Sequence, residues 1–344
     1  MGSGNRKPGD CRLHPAHHYR EGVDSQSGGL GAQADGRGDQ RHQGIRESGR
    51  VKRFRLRDNT LGVVLILPSL ILFVGLLLYP LCYVVYTSFF ARHLLAPEGE
   101  FVGLQNYLDL FRDSEYWKAL GRSVVWAGST VSLQTILGTA IALLLHQSFT
   151  GRSVARGLIL FPYMVPIISV TLTWTLMYSV LYGIINHLLL RVGLIEAPIP
   201  WLASVESAMA SVVLVGLWKY FPFVVIVVLA RLQTIPQDLY EAAKIDGAGR
   251  WALFTDITLS QLRNVLFIVI LLRSIWMFNN FEVIFLLTGG GPLRATMTLP
   301  ILVYEETFGA YNLGKGAAIA TTMFLFLVLV MTVYFRLFKR EEAI

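Results

Sequence analysis

Gln233-Thr-Ile-Pro-Gln-Asp-Leu-Tyr-Glu-Ala-Ala-Lys-Ile-Asp-Gly-Ala-Gly-Arg-Trp251 separates two apolar runs, 208–230 and 263–288. Each run is long enough to cross a bilayer, which takes about 20 apolar residues. The stretch between them is longer than a connector needs to be. Pro236 suits the first turn of a helix. Asp238 stands early and Lys244 late, as the helix dipole prefers. Leu239, Ala242, Ala243 and Ile245 supply a small apolar surface, and Gly247 can take positive φ and stop the helix sharply. The spacing predicts a short amphipathic helix whose small residues let a partner's backbone approach closely. Trp251, Leu253, Phe254 and Ile257 then predict a second helical segment leading into the next run. A helix lying on lipid carries a strongly basic polar face; the few basic residues and mixed charge here argue against that.

Outward from this loop, four more runs qualify as spans: 61–90, 120–146, 157–180 and 314–338. The expected fold is therefore all-α, a polytopic membrane protein with six transmembrane helices. The composition agrees. Of 344 residues, 53% are hydrophobic and 15% charged, against about 25% charged in a soluble domain. That disfavours a soluble enzyme, a disordered protein and a disulfide-stapled secreted domain. Pro68, Pro80, Pro162, Pro166 and Pro222 lie in or beside the runs and read as kinks or helix ends.

The net charge of +7 is unevenly placed. Residues 1–57 carry 12 Lys/Arg against 6 Asp/Glu, whereas the rest of the chain is nearly balanced. This segment has almost no apolar periodicity and is expected to be a disordered basic tail. It lacks the apolar core of a signal peptide. Its His14, His17 and His18 have nothing beside them to organise a metal site, and its Arg residues lack an aromatic platform for nucleic acid. Cys11 and Cys82 read as unpaired thiols. The cluster Arg50, Lys52, Arg53, Arg55 and Arg57 abuts the first run as a topology signal. Loop 147–156 carries Arg152 and Arg156 with no acid. Loop 231–262 carries Arg231, Lys244 and Arg250, and the C-terminal end carries Arg336, Lys339 and Arg340. The positive-inside rule places these segments in the cytoplasm, together with both termini. The domain plan is a tail, 1–57, and a six-span domain, 58–340, with a cytoplasmic loop at 231–262.

Glu241-Ala242-Ala243, three residues, Gly247, nine residues, then Ile257-Thr258-Leu259 resembles the "EAA" loop of ABC-importer permeases. Ser260 stands where the family usually has proline. Phe101-Val-Gly-Leu-Gln-Asn-Tyr107, Trp218-Lys-Tyr-Phe-Pro-Phe223 and Leu287-Thr-Gly-Gly-Gly-Pro292 with Thr298-Leu299 resemble the carbohydrate branch of these permeases. The resemblance covers roughly 58–340. It implies the type I ABC importer permease fold in a bacterial or archaeal plasma membrane. It also implies that Glu241, Ala242, Ala243, Asp246 and Gly247 form a coupling helix seated in a cytoplasmic ATPase. The implied partners are a second homologous permease, two copies of that ATPase, an extracytoplasmic solute-binding protein and membrane lipid, with no nucleic acid. ATP and Mg would be bound by the ATPase, and no cofactor or metal by this chain. The implied reaction is vectorial transport of a saccharide or polyol, with no catalytic residue. The alternatives are a non-carbohydrate solute, or an ion-coupled secondary transporter.

Gly309-Ala-Tyr-Asn-Leu-Gly-Lys315 matches a phosphate-loop spacing. A true loop continues with Ser or Thr and lies between a strand and a helix; here Gly316 follows and a span begins. Within the fifth run, Trp276, Asn279 and Asn280 are the candidates to line a saccharide path, an indole for sugar C–H faces and amides for hydroxyls. Arg273 and Glu282 are expected to be structural, in ion pairs. Ser129, Ser132, Gln134 and Thr135 are expected to pack the second span, and Lys219 to snorkel or pair.

Overall fold

The structure, a computed structural model, describes residues 58–341. The predicted tail, with Cys11, the three tail histidines and the basic cluster ending at Arg57, lies outside the described residues. Contacts divide the chain into Met1–Thr60 and Leu61–Ile344. Of the former, only the opening of the first helix is described; all the other elements belong to the latter.

The first span joins α1 (Asp58–Phe73), a π-helical stretch (Val74–Leu78) and α2 (Tyr79–Thr87). A hairpin comes next, β1 (Phe90–His93) and β2 (Ala96–Phe101), in which Phe90 pairs with Phe101. Then come α3 (Gln105–Arg112) and the second span, α4 (Ser114–His146). The third is α5 (Arg152–Met164) with α6 (Ile167–Met177), and α7 (Ile184–Arg191) lies after it. The fourth is α8 (Val205–Leu232). The loop carries α9 (Gln237–Ile245), and α10 (Arg250–Ala252) passes through a π-helical stretch (Leu253–Leu259) into α11 (Ser260–Phe278). Short helices α12 (Glu282–Thr288) and α13 (Leu299–Tyr304) precede the sixth span, α14 (Leu313–Glu341). Five helices are long and apolar enough to cross a membrane, and α5 with α6 makes six.

The third span is not the single helix expected over 157–180. It starts at Arg152 and bends by 93° between α5 and α6. The cause is local. Pro166 offers no N–H, and Val165 before it is extended, with ψ 133°, as residues preceding proline prefer. The break frees carbonyls inside the membrane, where each unsatisfied group costs several kcal/mol. Lys219 Nζ donates to the oxygens of Pro162 at 3.0 Å, Tyr163 at 2.9 Å and Val165. Lys219 is therefore buried as a cap for the broken helix and does not snorkel. Pro222, by contrast, sits inside an unbroken α8.

The fifth span also differs. The apolar run predicts 263–288, but the helix runs continuously from Arg250 to Phe278. Ser260 opens α11 without a bend, its φ and ψ helical at −58° and −46°.

Three helices form the centre. A Cβ on Gly138 of α4 would lie 2.6 Å from Val224 Cβ of α8, and one on Gly216 of α8 would lie 2.5 Å from the Trp126 ring of α4. The two glycines thus let these backbones approach closely, as small residues do between membrane helices. Trp126 Nε1 donates to Met277 O of α11 at 2.8 Å. Gln134 Nε2 donates to Gly216 O at 3.1 Å, and Gln134 Oε1 accepts from Arg273 Nε at 2.9 Å. Gln134 therefore does more than pack: one buried amide ties α4 to both neighbours. A second apolar cluster, including Leu145, Val228, Leu232 and Leu262, closes the end of the bundle that carries α9.

Candidate functional site

α9 begins one residue later than the sequence predicts. Pro236 is its N-cap, with ψ 136°, and not its first turn. The helix ends as expected at Gly247, whose φ is +83°. Gly247 N–H donates to Lys244 O at 3.1 Å and Ala248 N–H to Ala243 O at 2.9 Å. This pair of bonds is the Schellman ending, which satisfies carbonyls that a helix otherwise leaves orphaned. Asp246 is the C-cap residue, and its own N–H bonds Ala242 O at 3.0 Å.

Most side chains on α9 face outward. Glu241, Ala242 and Asp246 are exposed, Ala243 is half-buried, and no α9 residue is buried. Ile245 is 86% exposed and Trp251 76%. Large apolar groups thus stand exposed among the charges of this loop. The back of the helix is fastened. Tyr240 OH and Thr258 Oγ1 are 3.0 Å apart, and Tyr240 packs against the apolar cluster beneath. Arg231 holds the two ends of the loop together: its Nε and Nη2 donate to Gln261 O at 3.0 Å and Gln261 Oε1 at 2.6 Å. Thirty positions separate these two residues, so no local pattern in the sequence points to their contact.

The three candidate path residues meet where α11 ends. Trp276 is half-exposed in its last turn, its ring edge-on to Phe223 of α8 at 5.3 Å. Asn279 caps the helix, exposed, its Nδ2 donating to Ile275 O at 2.8 Å. Asn280 lies just beyond; its Nδ2 donates to Tyr220 OH at 3.3 Å, and its Oδ1 accepts from Val283 N at 3.4 Å. The indole of Trp276 and the oxygen of Asn279 are thus the groups left facing outward. Tyr220 and Phe223, both within the Trp218–Phe223 motif, belong to this cluster. No signal in the sequence assigns them to it, because they reach it from another span.

The expected ion pairs are absent among the described residues. Arg273 is 2% exposed. Its guanidinium bonds Gln134 and lies 4.9 Å from the Tyr220 ring, 5.6 Å from Phe223 and 5.7 Å from Trp276. Cation–π contact of this kind strengthens when desolvated. Glu282 cannot reach it along one helix face, because the helix stops at Asn279 and Glu282 opens α12, exposed. In the phosphate-loop lookalike, Lys315 Nζ instead contacts Glu306 at 2.8 Å and Asp113 at 3.4 Å. A Cβ on Gly316 would strike Thr307 Oγ1, so Gly316 serves close packing.

Five helices able to cross a membrane, six with the bent pair, and an outward-facing helix at one end define a polytopic membrane protein. Residues 134–342 match the family described as "Binding-protein-dependent transport system inner membrane component", and the chain belongs to that family. It is therefore a multi-pass inner-membrane protein and a transporter component. It is 38% identical over 294 residues, 84% of this chain and 98% of the relative, to the trehalose/maltose transport system permease protein MalF of Thermococcus litoralis. It is 34% identical to the sulfoquinovosyl glycerol transport system permease protein SmoG of Agrobacterium fabrum, over 83% of this chain and 93% of that one. Among solved structures, a chain of a bacterial alginate ABC transporter, in complex with its alginate pentasaccharide-bound periplasmic protein, shares the fold. The TM-score is 0.71 at 20% identity, covering 80% of this chain and 93% of that chain.

Proposed function

We propose that this chain is one of two permease subunits in an ABC importer for a saccharide or related polyol, with α9 as the element that couples it to a cytoplasmic ATPase. The observation that carries this reading is the construction of α9. It is short, closed by Gly247, fastened at its back by Tyr240, and left with Glu241, Ile245, Asp246 and Trp251 outward. A rigid element that a partner can displace as a body is what transmission between two states requires. Two copies of the ATPase would bind ATP and Mg and supply the energy, so this chain performs no covalent chemistry. An extracytoplasmic binding protein would deliver the solute. The named substrates of the relatives, trehalose, maltose and sulfoquinovosyl glycerol, support a saccharide. Trp276 and Asn279 would meet it on its way between the two permeases, by alternating access around a midplane cavity.

Capture of the ATPase by affinity-tagged chain in detergent tests the reading. Wild type is expected to retain it and Gly247→Asp to lose it, because the side chain strains the helix ending and adds charge at the contact. Equal capture by both would overturn the assignment of α9.

A further inference from the structure

At the α9 end of the bundle, α5 and α8 leave an open groove between them, a cavity of about 260 Å³. Leu145, Ile159, Ile226 and Leu229 line its length, and Arg156 and Gln233 stand at its mouth. α5 is two-faced here. Ala155 and Ile159 pack inward against the apolar cluster, whereas Val154, Leu158 and Phe161 are each more than 60% exposed, a stripe made for hydrocarbon. Ile226 on the α8 wall is half-exposed, so the groove opens toward the same side.

Arg156 lines the mouth, and Arg152 lies one turn earlier on α5. No Asp or Glu occurs anywhere between Glu115 and Glu196. Among the described residues, neither Arg152 nor Arg156 forms an ion pair. Among the described residues Arg156 has one acceptor, Leu145 O, at 3.4 Å, and Arg152 Nε is buried with none. His146, at the end of α4, lies within electrostatic reach of both. A guanidinium at a membrane surface without a carboxylate is matched by phosphate, which it binds through parallel hydrogen bonds.

We propose that this groove is a binding site for an anionic glycerophospholipid of the adjoining leaflet, its phosphate on Arg156 and Arg152 and an acyl chain along Ile159, Ile226 and Leu229. Phosphate charge and acyl chain are both required: the basic mouth opens onto an apolar slot that continues into the membrane, the arrangement by which basic pockets between spans take anionic headgroups. Because Gln233 at the mouth lies four residues before α9, a seated lipid would bear on the base of that loop.

Native mass spectrometry of the assembled transporter, exchanged into micelles holding phosphatidylglycerol or phosphatidylcholine, tests this without requiring transport or ATP turnover. Wild type is expected to retain phosphatidylglycerol in preference to phosphatidylcholine, with soluble glycerol phosphate unable to displace it. In the R152Q/R156Q variant the phosphatidylglycerol needed for half-occupancy should rise about thirtyfold, equivalent to ~1 kcal/mol per basic side chain. R152K/R156K, which keeps the charge but loses the parallel hydrogen bonds, should fall between wild type and R152Q/R156Q, which separates charge from folding. Ile226→Trp, which fills the slot and leaves both arginines, should lose the lipid as well. Retention of both lipids alike, unchanged retention by R152Q/R156Q, displacement by glycerol phosphate, or a wild-type groove filled by the second permease with no lipid bound would each overturn the proposal.

Discussion

Arg231 at the end of α8 grips Gln261 at the start of α11 through two hydrogen bonds, one to its backbone oxygen and one to its side-chain oxygen. With Tyr240 held to Thr258, the loop becomes a bracket fixed at its base and at its middle. Hydrogen bonds from charged donors contribute about 1.5–3 kcal/mol. Arg231→Met keeps the stem and removes both bonds. The complex is expected to assemble while stimulation of its ATPase by loaded binding protein falls severalfold. The ratio of stimulated to basal hydrolysis after reconstitution measures this, and an unchanged ratio would show that the bracket is dispensable for coupling.

Gly247 separates backbone strain from steric clash. Its φ is +83°, yet a Cβ there meets nothing within 4 Å. Gly247→Ala therefore costs only the left-handed penalty of about 1–2 kcal/mol. We expect ATPase affinity to drop roughly tenfold with no change in the melting temperature of the span bundle, since the glycine contributes nothing to that bundle. A matching loss of bundle stability would place the effect elsewhere.

At the end of α11, Trp276 offers a half-exposed ring braced by Phe223 and Arg273. Aromatic contacts contribute about 0.5–1.5 kcal/mol beyond buried area. Trp276→Ala should raise KM for uptake of the transported saccharide by about two- to tenfold, while Trp276→Phe recovers most of it. Uptake into vesicles, with the binding protein in excess, reads this directly. An unaltered KM would leave Trp276 as packing.

Legibility in the sequence depends on range. The six apolar runs and the α9 helix with its glycine stop are written in local composition and periodicity, so their existence is readable; their ends differ, and the third run is broken in two. Pro236 and Gly247 both act on their immediate neighbours. Pro166 is visible as a break, but its 93° bend and the fate of the freed carbonyls are not, because Lys219, which caps them, is more than fifty positions away. The same holds for Gln134. It reads as an ordinary polar residue in a span until Gly216 and Arg273 are brought to it. The ion pairs expected for Arg273 and Glu282 fail for a related reason: Arg273 finds Gln134 on another span, and Glu282 lies past Asn279, where the helix stops.

Gly216 tests the close contact of α4 and α8. An added methyl would meet the Trp126 ring at 2.5 Å, and that ring is itself pinned by its bond to Met277 O. Overpacking of a filled core costs about 1–3 kcal/mol. Gly216→Ala should lower the melting temperature in detergent, and Trp126→Phe should relieve part of the loss in the double variant. Additive effects of the two changes would mean that they do not meet.

Lys219 is buried against the three carbonyls that it caps. Replacing it with Met preserves length and apolar stem but removes every donor. An orphaned buried acceptor costs about 1–3 kcal/mol, so Lys219→Met should cost at least ~3 kcal/mol over the set. The bend itself is set by Pro166, which cannot continue the α5 hydrogen-bond ladder. The loss should therefore register as instability at the break and not as straightening of the span. Thermal unfolding in detergent gives the total. Hydrogen exchange at Ile167–Val170 gives the location, with faster exchange expected there than in α8. If Lys219→Met melted as wild type did, the three carbonyls would have to be satisfied by other donors, and the capping role of Lys219 would be lost.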